Sequence, residues 1–339
     1  MKKVFGISFV FIGLVIGAGF ASGREIFEYF NIPSQTDFTG IVLATVSFGA
    51  IAYIILNFSA QNNLSDFKSF ITLVSGRLSG LINIFMLAFM FCGFFVMMSA
   101  CGALAKETLS LPPLYGYIFL ALCCFSVFCF DVKGLVTFNS VLVPIMLVGM
   151  LYVCISSMLF GAAPTFSAFS ELYRNPLISS LCYVSYNTIT AGAVLVPLAR
   201  NVKKSHLATA SSISAASLGI VIFIAWFSMN VFFDELLLSE MPLLSLAEKN
   251  GEKIKLAYSL ILLMALCTTA VSHGFGILSH FSFKKASSRI GAAALLCLFA
   301  VPFATLGFSN LVSKLYSTFG YLGLIWTVMV IFSYIKNKN

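Results

Sequence analysis

The 339 residues are 60% apolar and only 9% charged, with 36 phenylalanines and a formal charge of +8. A water-soluble domain carries roughly a quarter charged residues, so composition excludes a soluble enzyme or binding module and makes lipid the solvent. The basic residues sit in short loops rather than in a patch suited to nucleic acid, and membrane orientation accounts for them.

The first apolar run, about Val4–Phe30, follows Met1-Lys2-Lys3 and imitates a signal peptide. It continues too far past Gly17-Ala18-Gly19 for that, so an uncleaved span is expected. Further apolar runs of roughly 20 residues follow at about Thr39–Phe58, Gly80–Lys106, Leu114–Phe130 and Leu135–Phe160. A polar loop with Pro164, Glu171 and Arg174 comes next. Beyond it lie runs at about Leu177–Arg200, Ala208–Phe233, Ile254–Leu278, Ile290–Phe308 and Leu311–Ile335, with an amphipathic stretch at Pro242–Lys249. That stretch reads as a short helix lying on the membrane surface. The nine cysteines mostly lie inside apolar runs and form no C-x-x-C pattern, so they read as small buried hydrophobes, with no disulfide or bound metal expected.

The expected fold class is an all-α integral membrane protein of about ten transmembrane helices, with both termini in the cytoplasm. Most of the 20 basic residues then fall inside, among them Lys2, Lys3, Lys68, Arg77, Lys133, Arg200, Lys203, Lys204, Lys284, Lys285, Arg289, Lys336 and Lys338, where only Asp66 and Asp131 are acidic. An odd number of spans per half puts the halves, 1–162 and 163–339, in opposite orientations, as an inverted 5+5 repeat requires.

Chemistry concentrates in three spans. In the first, glycines and a charged pair interrupt the run Gly17-Ala18-Gly19-Phe20-Ala21-Ser22-Gly23-Arg24-Glu25. In hydrocarbon a helix opens only where something polar fills the gap, so this is the leading candidate for a discontinuous helix at a binding site. Close packing by small residues is the competing reading. The sixth span holds Tyr183, Ser185, Tyr186, Asn187, Thr188 and Thr190, side chains expected to face the bundle interior. A second break is expected there, near Tyr186-Asn187-Thr188; interhelical hydrogen bonding is the plainer alternative.

The eighth span holds Ala265, Thr268, Thr269 and His273. Thr268, Thr269 and the Ala265 carbonyl, with carbonyls of Val15 and Ala18 freed at the first break, form a candidate site for Na⁺, which suits neutral oxygen ligands. Back-bonding of the threonines to their own helix competes with it. His273 is the proton candidate if coupling is to protons, or else a core histidine. Arg24 reads either as a gate or as a snorkelling side chain paired with Glu28. Lys106-Glu107 reads as a solvated helix end.

The broken first span, the five-plus-five layout and Ala-x-x-Thr-Thr at Ala265–Thr269 resemble the amino acid–polyamine–organocation superfamily, whose shared architecture is the LeuT fold. Within it, Gly17 to Glu25 is similar to the opening signature of YkvI-type membrane proteins. The resemblance implies alternating access, with an amine- or amino-acid-like solute between spans one and six, both discontinuous. Sodium would then be held by Val15, Ala18, Ala265, Thr268 and Thr269. Proton-coupled relatives can place a lysine from the fifth span at that position. None stands between Leu135 and Phe160 here, which favours sodium. Stopping after about ten spans leaves the oligomeric state open.

The expected activity is therefore secondary transport in the cell (inner) membrane, with no enzymatic chemistry, no nucleic-acid partner and no cofactor beyond coupled Na⁺. The solute would contact Gly17, Ala18, Gly19, Phe20, Ala21 and Ser22 on one side and Tyr183, Tyr186, Asn187 and Thr188 on the other. A ligand-sensing subunit of the same fold without net transport, or proton coupling through His273, are the alternatives.

Overall fold

The computed structural model describes residues 2–31, 38–129, 135–159, 175–199, 202–281, 283 and 285–337, and among them every regular element is helical. The first span is three pieces: α1 (Lys2–Val15), α2 (Ala18–Ala21) and α3 (Arg24–Phe30). Then come α4 (Thr39–Gln61), α5 (Phe67–Ser75), α6 (Ser79–Leu109), α7 (Pro113–Cys129), α8 (Leu135–Met158) and α9 (Pro176–Leu198). The remainder is α10 (Lys204–Val231), α11 (Phe233–Leu236), α12 (Pro242–Lys249), α13 (Glu252–His280), α14 (Ala286–Ala304), α15 (Phe308–Leu311) and α16 (Ser317–Lys336). A π-helical turn, Val312–Tyr316, joins the last two.

Among the described residues, seven helical segments are long and apolar enough to cross a bilayer. Three shorter apolar helices, Lys3–Val15, Pro113–Cys129 and Leu142–Met158, accompany them. Large apolar side chains stand bare on the rim, including Leu81, Leu122, Val148, Leu298, Phe299 and Phe332. In water such a surface would aggregate, and in lipid it is the matching one. The chain is a multi-pass membrane protein. The loop expected to join the two halves, with the boundary at 162/163, lies outside the described residues, as do Asp131, Lys133, Arg200, Lys284 and Lys338.

Inside the rim, α4 packs on α9 and α10, α6 on α13 and α7, and α16 on α9. Small residues permit the last contact: a methyl on Gly320 would sit 2.8 Å from Cys182 Cβ, and one on Gly323 would sit 3.1 Å from the backbone at Ser185 and Tyr186. Thr327 Oγ1 donates to Ser185 Oγ across the same seam (3.2 Å). Close backbone approach of this kind is how helices associate where lipid removes the hydrophobic drive.

Two sequence expectations change. Helix α9 runs unbroken from Pro176 to Leu198, so the sixth span is not discontinuous. The reason is local: Asn187 Nδ2 donates to the Tyr183 carbonyl (2.9 Å), Thr188 Oγ1 to Ser185 (3.0 Å) and Thr190 Oγ1 to Asn187 (2.8 Å). These polar groups are satisfied by their own helix and leave its ladder intact. Helix α12 matches the expected stretch, but Pro242, Leu243, Leu244, Leu246 and Ala247 are all buried among α3, α8, α10 and α13. Its apolar face meets protein, not the membrane surface.

Candidate functional site

The first span opens at two joints. Ile16 leaves the helix after Val15, and the Gly17 amide turns to the Val15 carbonyl (3.0 Å) instead of continuing the ladder. At the second joint Gly23 takes φ +81°, left-handed backbone that glycine enters without a Cβ penalty. A methyl there would also lie 2.7 Å from Leu243 Cγ.

Polar groups of the surrounding helices satisfy the opened backbone. Tyr258 of α13 donates its hydroxyl to the Ala21 carbonyl (2.6 Å), and the Leu243 amide of α12 donates to the Ser22 carbonyl (3.0 Å). Ser22 Oγ donates to Gly19 (2.7 Å) and accepts from the Arg24 amide (3.2 Å). The far end of α3 is tied in the same way: Ser179 Oγ of α9 donates to Tyr29 (2.6 Å) and Trp226 Nε1 of α10 to Phe30 (3.2 Å). This is the condition under which non-helical backbone persists at membrane depth.

Opposite the opening, α9 presents Tyr183 and Tyr186. Their rings form a triangle with Tyr29, with centroids 5.3 Å apart for Tyr29–Tyr183 and 5.7 Å for each of the other pairs. Tyr186 donates its hydroxyl to Glu25 Oε2 (2.7 Å), joining α3 to α9. The carboxyl folds back over the opened turn: a methyl on Gly19 would lie 1.9 Å from Glu25 Oε1. Glu25 therefore sits against Gly19, one of the residues expected to contact the solute. The sequence shows Glu25 only as half of the charged pair that interrupts the run, and assigns it no role. The available signal was its position six residues beyond Gly19, beside an Arg24 that has Glu28 as its own i+4 partner.

Gly17, Ala18, Gly19, Phe20, Ala21 and Ser22 all lie at the opening, and Tyr183 and Tyr186 face it. Asn187 and Thr188 are buried but committed to their own helix. Of the proposed sodium ligands, Thr269 Oγ1 lies 3.9 Å from where a Gly17 methyl would stand, so α13 reaches the opening. Thr268 Oγ1 turns to the Ala265 carbonyl (3.0 Å). The Val15 and Ala18 carbonyls accept from Gly17 and Ser22. Each keeps a second lone pair for a ligand. His273 Nδ1 bonds the Thr269 carbonyl (3.0 Å) while its ring packs against Gly93 and Phe89 of α6.

At the α3 end of the bundle, Arg24 is 4% exposed, so it does not snorkel to solvent. Its Nη2 pairs with Glu28 (3.4 Å) and Nη1 donates to the Ser239 carbonyl (3.3 Å). Glu240 caps α15 through the Phe308 amide (3.0 Å), and its own amide donates to Glu107 Oε1 (2.9 Å). Glu107 is thus a structural acceptor rather than a solvated helix end. A cavity of about 410 Å³ above these contacts is lined by Glu107, Glu235, Glu248 and Lys255 among others.

Comparison with known proteins supports this architecture. No family model matches the chain. It is 26% identical over 321 residues to the uncharacterized membrane protein YkvI of Bacillus subtilis (strain 168), covering 94% of this chain and 92% of that one. Its fold is that of MhsT, solved in complex with L-phenylalanine, with a TM-score of 0.66 at 15% identity over 96% of this chain and 87% of MhsT. A Na⁺-coupled sialic acid symporter, solved in a substrate-bound outward-open state, aligns with a TM-score of 0.51 at 13% identity, over 98% and 86% of the two chains. The fold is thus one that solute transporters use.

Proposed function

We propose that this protein is a secondary active transporter that moves an amino acid or related small amine by alternating access, coupled to Na⁺. The observation that carries the reading is the first span opened between Val15 and Arg24, with its main chain held by α12 and α13 and faced by Tyr183 and Tyr186. A buried opening of this kind is where transporters of broken-helix design bind their cargo. The solute would lie between the opening and α9, and Na⁺ beside Gly17 on Thr269, Thr268 and the carbonyls of Val15, Ala18 and Ala265.

About ten spans in a 5+5 inverted repeat, in the cell (inner) membrane with both termini cytoplasmic, complete the proposal. Arg24, Glu28 and the Ser239 carbonyl would then form the outer gate. The reading rests on one discontinuous helix instead of two, so motion is assigned to the first span against a fixed α9. The continuity of α9 also favours a second reading, a ligand-sensing subunit of the same fold.

A thermal-shift screen of amino acids and amines in sodium and in choline tests ligand and ion together, because a ligand bound to the folded state stabilises by mass action. Stabilisation by a solute in sodium but not choline is expected, and Thr269→Ala should remove the sodium dependence. A sodium response unchanged in that variant would refute the ion site.

A further inference from the structure

Among the described residues, Glu25 is a buried carboxyl that accepts one side-chain hydrogen bond and pairs with no cationic side chain. Its residue is 5% exposed, Oε2 accepts from Tyr186, and Oε1 and Cδ press on Gly19. Tyr29, Tyr183, Tyr186 and Tyr316 surround the site, the last with its ring centroid 5.2 Å from that of Tyr186. The Tyr183 hydroxyl is buried there without a hydrogen-bond partner.

Apart from the tyrosines around Glu25, the charged and polar groups on the elements packed against α3 have other partners or are exposed. On α3 itself, Arg24 turns to Glu28 and Ser239. From α10 come Trp226, bonded to Phe30, and Asn230, bonded to Asn31. Lys249 and Glu248 of α12 pair with Glu235 and Lys255. The π-helical turn contributes Tyr316, while its Lys314 is exposed. Helix α13 spends Tyr258 on Ala21 and His273 on Thr269. Among the described residues, no lysine, arginine or histidine lies within ion-pair distance of Glu25.

An ionised carboxylate can accept about four hydrogen bonds, and burying one with a single donor is strongly unfavourable unless a cation joins it. On one side the carboxyl lies against Gly19, and the Tyr186 hydroxyl holds its other oxygen. Sodium would need several more oxygens than one tyrosine hydroxyl supplies. A proton needs neither space nor further ligands. We infer that Glu25 is a proton-binding site: in this closed arrangement its carboxyl is neutral, and it releases the proton to water when the opened turn and α9 part. In that step the acid O–H bond breaks, water takes the proton, and water replaces the Tyr186 hydroxyl as donor to the carboxylate left behind. Glu25 ionisation would then be tied to movement of the first span. The inference rests on the transport reading for its purpose, but the protonation can be read with no solute present.

The test is infrared difference spectroscopy of the full-length protein in proteoliposomes, with pH stepped across the neutral range. Wild type should show the C=O stretch of a protonated carboxylic acid, shrinking as pH rises. Glu25→Gln should lose that band and Glu107→Gln should retain it. Tyr186→Phe, which keeps Glu25, should shift the band in frequency without abolishing it, and so tests the site even where Glu25→Gln folds poorly. A titrating band that is the same in wild type, Glu25→Gln and Tyr186→Phe would overturn the proposal, as would its absence at every pH. So would stabilisation of wild type, but not of Glu25→Gln, by methylamine or phenethylamine with no pH-dependent band, which would make Glu25 a solute contact. Sodium-dependent stabilisation surviving in Glu25→Gln would show that a failure here leaves the transport reading standing.

Discussion

Replacing Gly23 by alanine tests whether the second joint of the first span is held by its backbone shape and by α12. The substitution puts a Cβ residue at φ +81°, which costs about 1–2 kcal/mol for an L-residue in left-handed backbone. The new methyl would stand 2.7 Å from Leu243 Cγ and 3.0 Å from the Leu243 amide nitrogen. Overpacking of that severity costs about 1–3 kcal/mol. Moving α12 to relieve it would loosen the hydrogen bond from the Leu243 amide to Ser22, another ~1 kcal/mol. Together these predict a loss of about 3–6 kcal/mol, read by denaturation in mixed micelles with Trp226 and Trp326 as reporters. Leu243→Ala removes Cγ but not the amide nitrogen, so the double variant should be less destabilised than the two single effects added, by part of the ~1–3 kcal/mol of the clash. The backbone penalty should remain. Gly23→Ala within about 0.5 kcal/mol of wild type would refute the reasoning, because that is the scale of an ordinary surface substitution.

Tyr258→Phe should cost about 1–3 kcal/mol in the same assay, because it leaves the Ala21 carbonyl buried without its donor from α13. Arg24→Gln should cost about 3–5 kcal/mol by removing the cation that pairs with buried Glu28, and a further Glu28→Gln should restore part of that loss, as measured by thermal unfolding of the two variants. Asp66 caps α5 by accepting from the Ser69 amide and hydroxyl (both 2.8 Å), so Asp66→Ala should cost about 1 kcal/mol and fray α5 in hydrogen exchange. Those same bonds hold the Asp66 carboxyl below its ordinary range. Its contribution is therefore fully present above the unfolded-state value and fades only as pH falls through the lowered folded one, so wild type and variant should converge in acid.

Much of this was legible because lipid constrains sequence more tightly than water does. The apolar run from Thr39 could only be a span, and Pro113 and Pro176 mark where α7 and α9 begin. The opening at Gly17–Gly23 was legible because glycine and Ser22 supply both the freedom and the local partner that a break requires. Helix α9 was misread for a reason composition hides. Asn187 and Thr188 look alike whether they line an unwound turn or bond their own carbonyls, and only the geometry shows the second. The amphipathic pattern of Pro242–Lys249 showed an apolar face but not what would cover it, and α3 and α13 do so instead of lipid. Glu25 escaped notice because its neighbours Tyr186 and Tyr316 come from distant parts of the chain.

Counterflow of the stabilising solute in proteoliposomes, with and without sodium, tests the central claim most directly. The account predicts that labelled solute accumulates against an unlabelled internal pool in sodium, and that Thr269→Ala abolishes the sodium dependence. Solute that binds and stabilises the protein yet never exchanges across the membrane would contradict it and leave a sensor in its place.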